Sequence, residues 1–417
     1  MDYGELFLKS GDFGTSYDDL EGEFDRRNFQ AVRDKYIRRK KTVKRRTFLK
    51  NTAIGMGTFA GTALAGQRRA GFLKASEAAE GGMPSGTEEK IGRPARIVSI
   101  GFKDSISLEE IARRVDGEGS HGVDVIVLPE LCRGQNKASE EPLHGPTVTA
   151  MAALAKKHKT YIAVPIDRRD DNRRLNSVVL LDRSGQIVCV YNKLFPYWSE
   201  YDVHPPADPG EAVQVHQADF GLVGFATCFD VNFPEVWRRL SDKGAELVIW
   251  PSAYSAGVSL QAYAINHHYY IVSCTQTPDC IAYDITGERI FYGHSGDMNI
   301  SRVTLDLDRS IYHENFNIPK RDKLLRERSQ DVVQEKWMQL EQWFVLKAKR
   351  PGASARQLAH QYGLEELRHY IERSRLAIDG RRGWEFAEKV AFPNKNIPEL
   401  KSLALETGTR EFRKTPA

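Results

Sequence analysis

Three polar residues stand at the ends of apolar runs, and together their types could make and break a covalent bond. The first lies in Gly221-Leu222-Val223-Gly224-Phe225-Ala226-Thr227-Cys228-Phe229-Asp230-Val231-Asn232-Phe233-Pro234-Glu235, where a strand-like run delivers a cysteine straight into a helix start, as a nucleophile elbow does. The backbone N–H groups after the cysteine and the positive end of that helix would favour thiolate and receive a developing oxyanion. Taken alone, a buried cysteine is usually just a small hydrophobe. The second is Val125-Ile126-Val127-Leu128-Pro129-Glu130, where proline ends an apolar strand and leaves a carboxylate at its mouth. Such a carboxylate must be paired or protonated, and its ordinary role is a structural ion pair. The third is Lys193, which leaves a strand and enters a loop carrying Phe195, Pro196, Tyr197 and Trp198, with a second acid, Glu200, seven residues on. The aromatics turn a lysine that would otherwise be a solvated charge into part of a pocket wall. A carboxylate, an ammonium and a thiol on separate loops are what a metal-free acyl-enzyme route needs.

Elements able to hold such residues alternate from Arg96 onward. Short apolar runs at 97–102, 123–128, 161–164, 178–181, 188–191, 222–226 and 247–250 read as strands, separated by helix-period segments and Gly- or Pro-containing turns. Ser107 and Glu110 make a capping box for a first helix with Leu108, Ile111, Ala112 and Val115 on one face. Residues 147–158 are a second helix, and Pro234 opens a third. The alternation predicts a layered α/β domain. Beyond residue 320 the chain becomes highly charged, and Val333, Trp337, Leu340, Phe344 and Ala348 fall at helical spacing, predicting a helical C-terminal extension over 321–417. The stretch from Ser354 to Arg375 superficially matches half of a helix-turn-helix, without a convincing recognition helix.

The order Glu130, Lys193, Cys228, with the flanking words LPE, NK and CFDVNFPE, closely resembles the nitrilase (carbon-nitrogen hydrolase) superfamily over roughly residues 95–305. Asn176-Ser177-Val178, Asp182-Arg183-Ser184-Gly185, Trp250-Pro251-Ser252-Ala253 and Asp284-Ile285-Thr286-Gly287 follow in the same succession. The resemblance implies a four-layer α-β-β-α sandwich over 94–320 that pairs with a second copy as a homodimer or higher homo-oligomer. It also implies roles. Glu130 takes the thiol proton as Cys228 attacks a carbonyl or nitrile carbon, and Lys193 with the Phe229 N–H holds the oxyanion. Glu200 is an auxiliary acid, and Tyr197, Trp198, Phe229, Tyr254 and His204 line the pocket. The implied substrate is a small linear amide or N-carbamoyl compound, with nitrile hydrolysis and acyl transfer open on the same three residues, and neither a metal nor a cofactor is called for. A non-catalytic exported binding protein is the reading of a different class, against which the intact Glu130, Lys193 and Cys228 argue. A Cys-His pair using His267 or His268 lacks an orienting Asn or Asp word nearby.

Composition narrows the partners. The chain has 417 residues and a formal charge of +4, and residues 1–66 hold 13 Lys+Arg against 9 Asp+Glu, so the remainder is formally neutral. A nucleic-acid partner would require a basic stripe on the folded domain, and the charge count offers none. The five cysteines are too few and too irregularly spaced for a disulfide framework. Arg33 to Lys50 carries ten basic residues and one acidic one, and an apolar Gly/Ala-rich stretch follows over 53–65. This is the order of a signal peptide. Arg45-Arg46-Thr47-Phe48-Leu49-Lys50 closely resembles the twin-arginine export motif, with cleavage expected after Ala65. Residues 1–66 are therefore read as leader and 67–93 as linker. The mature protein is expected in the periplasm or outside the cell, touching a membrane only through this signal and tethered to it if the signal stays uncleaved.

Overall fold

The computed structural model describes residues 90–103, 106–135, 139–201, 205–381, 384–386 and 412–414. The leader read at 1–66, most of the linker and His204 lie outside the described residues. Among the described residues no helix is long and apolar enough to cross a membrane.

Twelve strands build two six-stranded sheets. The first contains β1 (Pro94–Phe102), β2 (Val125–Val127), β3 (Tyr161–Asp170), β4 (Arg173–Leu181) and β5 (Ile187–Asn192). The second contains β6 (Val215–Ala218), β7 (Gly221–Phe225), β8 (Leu247–Ser252), β9 (Tyr270–Thr275), β10 (Asp279–Tyr283) and β11 (Arg289–His294), and β12 (Met298–Asp306) returns to the first. Their orders are β12-β1-β2-β3-β4-β5 and β11-β10-β9-β8-β7-β6. In each sheet three adjacent strands run parallel, β1-β2-β3 and β7-β8-β9.

The side-chain alternation of a strand decides the layering. Ile97, Val125, Val127 and Ala163 of the first sheet meet Val223, Phe225, Leu247, Ile249 and Val272 of the second in one buried cluster between the sheets. Their neighbours Val98, Ile126 and Ile162 face outward and pack with Ile111 and Val115 of α1 (Leu108–Gly119) and Val148, Met151 and Ala155 of α2 (Pro146–His158). On the opposite side, Val248, Trp250 and Ile271 pack with Val236, Trp237 and Leu240 of α3 (Pro234–Asp242) and Leu260 and Ala264 of α4 (Val258–His267). The result is the expected four-layer α-β-β-α sandwich. Because both faces of the inner strands are covered, these strands read as continuous apolar runs in the sequence.

The C-terminal extension departs from the sequence expectation. After β13 (Ser310–His313) and α5 (Ile318–Glu327), residues 332–348 form an antiparallel hairpin of β14 (Val332–Met338) and β15 (Trp343–Ala348), not a helix. The residues at helical spacing are split between the two strands and their turn: Phe344 and Ala348 are buried, whereas Val333, Trp337 and, in the turn, Leu340 are exposed. The β-branched Val332, Val333 and Val345 suit strands, and Gln342 takes the left-handed conformation that closes the turn. Pairing of β15 with β13 completes a three-stranded sheet, ordered β13-β15-β14. It covers a separate small core of Tyr312, Leu324, Phe344, Leu346, Ala355 and Leu358. α6 (Ala355–Gln361) and α7 (Leu367–Arg381) follow. Arg368 of α7 donates to the Ser241 and Ala245 carbonyls beside α3, so the helix-turn-helix-like segment is packed against the sandwich.

Glu246, 5% exposed, joins this extension to the sandwich through ion pairs with Arg93 and Arg356. Burial raises its carboxyl's pKa, but the two guanidiniums win and bring it down to about 2. A depressed folded-state value means that the stabilisation is complete above the ordinary carboxylate range and is lost as the pH falls toward about 2. Urea midpoints taken from pH 6 down to pH 3 should therefore fall more steeply for wild type than for Glu246→Gln. Parallel curves would refute this linkage.

Candidate active site

Glu130, Lys193, Cys228 and Glu200, read from four separate positions in the sequence, converge at one end of the strands. Glu130 follows β2, where Pro129 can donate no further ladder bond and the chain turns through Leu131 at φ 45°. Its side chain is 2% exposed. Glu130 Oε1 accepts from Lys193 Nζ at 2.8 Å and from Asn176 Nδ2 at 2.7 Å, while Oε2 accepts from the Ala253 N–H at 2.8 Å, just past β8. Lys193, 1% exposed, gives a second ammonium hydrogen to Glu200 Oε2 at 2.6 Å. Glu200 Oε2 also accepts from the Tyr197 N–H at 2.6 Å, and its Oε1 from Asn176 Nδ2 at 3.0 Å. One ammonium thus lies between two carboxylates. Burial alone would lower the Lys193 pKa, but Glu130, Cys228 and Glu200 reverse this and hold it above its ordinary value, so the side chain is charged. Among the described residues the third ammonium hydrogen has no protein acceptor, which leaves one strong donor free for a bound oxygen.

Cys228 occupies the first residue of a 3-10 turn, Cys228–Asn232, with φ 47°. A non-glycine residue held at positive φ costs energy and persists only where its surroundings impose it. Here the surroundings are explicit. Asp230 Oδ2 accepts from the Thr227 N–H at 2.8 Å and from the Tyr191 hydroxyl, and Oδ1 accepts from the Phe195 N–H at 2.9 Å. The Trp237 and Trp250 indoles donate to the Asp230 and Cys228 carbonyls at 3.0 and 3.3 Å. One buried carboxylate therefore ties the cysteine turn to the loop that carries Lys193. Burial pushes Asp230 up to about 6, against the pull of Tyr191, Thr227, Lys193 and Phe195.

The expectation that the helix end would favour thiolate is not met. The α-helix begins only at Pro234, and Cys228 sits in a five-residue 3-10 turn capped by Asp230. Burial pushes the thiol up to about 12, the Glu130 charge adds to this, and Lys193 and the Ala253 N–H only partly oppose it. The resting sulfur is a thiol in contact with a carboxylate, so a base must take its proton before it can attack.

The aromatic residues divide. Tyr197 packs edge-on against Phe229 with centroids 5.1 Å apart, and Phe229 against Phe233 at 5.4 Å. Tyr254 meets Trp250 edge-on at 5.7 Å, and burial raises its hydroxyl pKa. Trp198 leans on Tyr197 but is 62% exposed, so it is a rim residue and not a wall. His267 stacks on Tyr263, and His268 lies edge-on to Trp343; burial lowers both, to about 3 and about 4. They are packing residues, and Cys228 takes its charged partners from Glu130 and Lys193.

Two contributors escaped sequence reasoning. Asp230 was legible only as a lone carboxylate inside an apolar word, and Asn176 only as the polar start of a strand. A charge or amide in a run otherwise destined for the interior is the signal that both carried.

A four-layer sandwich with this constellation defines a class, and the sequence profile of the carbon-nitrogen hydrolase family matches residues 65–309, more than half of the chain. The chain belongs to the carbon-nitrogen hydrolase family. Among its relatives, the citrullinase of Francisella tularensis is 28% identical over 190 residues, which is 42% of this chain and 65% of that protein. The N-carbamoylputrescine amidase of Solanum lycopersicum is 29% identical over 164 residues, 36% of this chain and 54% of that protein. The first relatives are thus matched over between about half and two thirds of their own length. Among solved structures, Saccharomyces cerevisiae Nit3, a member of branch 10 of the nitrilase superfamily, aligns with 17% identity and a TM-score of 0.45, covering 52% of this chain and 91% of that one.

Proposed function

We propose that this protein hydrolyses the carbon–nitrogen bond of a small linear amide or N-carbamoyl compound through a thioester on Cys228. The observation that carries the reading is a thiol facing a carboxylate, beside an ammonium that keeps one hydrogen unclaimed. Glu130 takes the Cys228 proton as sulfur bonds to the carbonyl carbon, and the carbonyl π pair moves onto oxygen. Lys193 and the Phe229 N–H receive that oxyanion in a site where water is displaced and a fixed charge acts strongly. Collapse breaks the carbon–nitrogen bond, and the proton held by Glu130 leaves with the amine. Water then gives a proton to Glu130 and its hydroxyl to the thioester, the carbon–sulfur bond breaks, and the proton returns to sulfur. Glu200 keeps Lys193 in place and carries no proton in this cycle.

Relatives named for citrulline and N-carbamoylputrescine support the N-carbamoyl branch. Intact-mass measurement after rapid quenching, across a panel of amides, N-carbamoyl amino acids and nitriles, should reveal an acyl or carbamoyl adduct on Cys228 with at least one of the first two groups. Turnover without any adduct, even at the shortest times and in slowed variants, would remove the thioester route. Ammonia and acid as products indicate hydrolysis, whereas a new amide indicates transfer. Export by the twin-arginine route and assembly as a homodimer or higher homo-oligomer belong to the same proposal. They are tested by mutating Arg45 and Arg46 to lysine, which should retain the protein in the cytoplasm, and by light scattering of the mature chain.

A further inference from the structure

Asn176 is 3% exposed and lies on β4, and it hydrogen-bonds with Glu130, Glu200 and Lys193. Its backbone carbonyl accepts the Lys193 N–H at 2.9 Å. Its side-chain nitrogen gives one hydrogen to Glu130 Oε1 at 2.7 Å and the other to Glu200 Oε1 at 3.0 Å. An amide nitrogen has two hydrogens, so both are committed, one to each carboxylate. The opposite amide orientation would aim Oδ1 at two carboxylate oxygens, and the orientation is therefore forced. Oδ1 itself is buried with no hydrogen-bond partner among the described residues, a cost that the fold tolerates to keep the nitrogen where it is.

The two oxygens of Glu130 are consequently unequal. Oε1 already receives two fixed donors, Lys193 and Asn176, while Oε2 receives the Ala253 N–H, a group that also acts on the Cys228 sulfur. We infer that Asn176 is a positioning residue that occupies Glu130 Oε1 and so leaves Oε2, the oxygen that shares the Ala253 N–H with Cys228, to take the proton in transit. The inference rests on Glu130 being the base of the proposed reaction. A proton on Oε1 would have to displace a hydrogen bond from an ammonium or an amide, whereas Oε2 can accept one and keep its neighbour. A donor to a carboxylate favours the anion over the acid, so a base that loses one takes up its proton at higher pH. The other groups facing Glu130 are the ammonium of Lys193, the second carboxylate Glu200, the Cys228 thiol and the Tyr254 hydroxyl.

The test is the pH dependence of kcat/KM in Asn176→Leu, which keeps the volume and removes the donors, and in Asn176→Ser, which is smaller and keeps one hydroxyl donor. The acid limb should move upward by about one pH unit or more in the leucine variant, one unit being the scale of a single charge-assisted hydrogen bond, and by less in the serine variant. If Asn176 merely supports the fold, kcat/KM will fall by the same factor at every pH and the limb will stay in place, which overturns the inference. Should the leucine variant not fold, the serine variant decides between the same outcomes. Glu130→Gln is run in parallel. If it stays active, the proposed base is wrong; if it is dead while the Asn176 limb is unmoved, the steering role alone fails.

Discussion

Cys228→Ala should fold like wild type and release no detectable product from any substrate, a loss of at least about 10⁴-fold in kcat. The cysteine carries the only bond to the substrate in the proposed route, and what remains without it is the stabilisation that Lys193 and the turn offer to attack by water. The fold should tolerate the change, because the main-chain conformation of the turn is imposed by Asp230, Trp237 and Trp250 rather than by the sulfur. Thermal unfolding by circular dichroism, followed by a sensitive ammonia assay, checks both halves. Retention of more than about a hundredth of the wild-type rate would mean that another group makes the bond, since a nucleophile cannot be partly dispensable. The high resting pKa of this thiol adds a second readout. Iodoacetamide should label Cys228 readily in wild type, where Glu130 can take the proton, and much more slowly in Glu130→Gln.

Lys193→Met should be the variant that loses both activity and stability. The methionine keeps length and volume, yet it leaves Glu130 and Glu200 buried against each other with no cation between them. Breaking a buried ion pair by removing one partner costs about 3–5 kcal/mol, because the charge left behind is neither solvated nor paired. The carboxylates escape part of that cost by taking up a proton, so the stability deficit should shrink as the pH is lowered from 8 to 5. Activity should fall by about 10³-fold or more, the scale associated with removing a principal oxyanion donor. Lys193→Arg should not rescue it, since a guanidinium is too wide for a site whose two oxygens lie 2.8 and 2.6 Å from a single nitrogen. Chemical denaturation at the two pH values together with steady-state rates provides the check. A pH-independent stability loss would show that the lysine contributes by packing alone.

The layers were legible in the chain because strands buried on both faces cannot hide their composition. Val125–Leu128 and Leu247–Trp250 are unbroken apolar runs, and the turns between the strands carry Gly or Pro. The hairpin at 332–348 was misread for the opposite reason. It is the rim of a small core, β14 buries only Val332 while β15 buries Phe344, Val345 and Leu346 in a row, and five apolar residues at spacings of three or four gave no clean period of two. Pairing with β13 decided for strands, and β13 lies about thirty residues away in sequence.

By itself the sequence determined the identities of the candidate groups and their order along the chain, together with the strand ends at which they stand. A proline that stops a ladder, a lysine before an aromatic loop and a cysteine before a capped turn are local facts, and local sterics and hydrogen bonding suffice to read them. What only the tertiary structure decided is how those groups treat one another. That Asn176 divides its two hydrogens between Glu130 and Glu200, that Asp230 ties the cysteine turn to the lysine loop, and that the thiol rests protonated all follow from distances between residues 24 to 98 positions apart. Charge interactions and desolvation depend on those distances and on burial, and neither quantity exists until the two sheets have closed on each other.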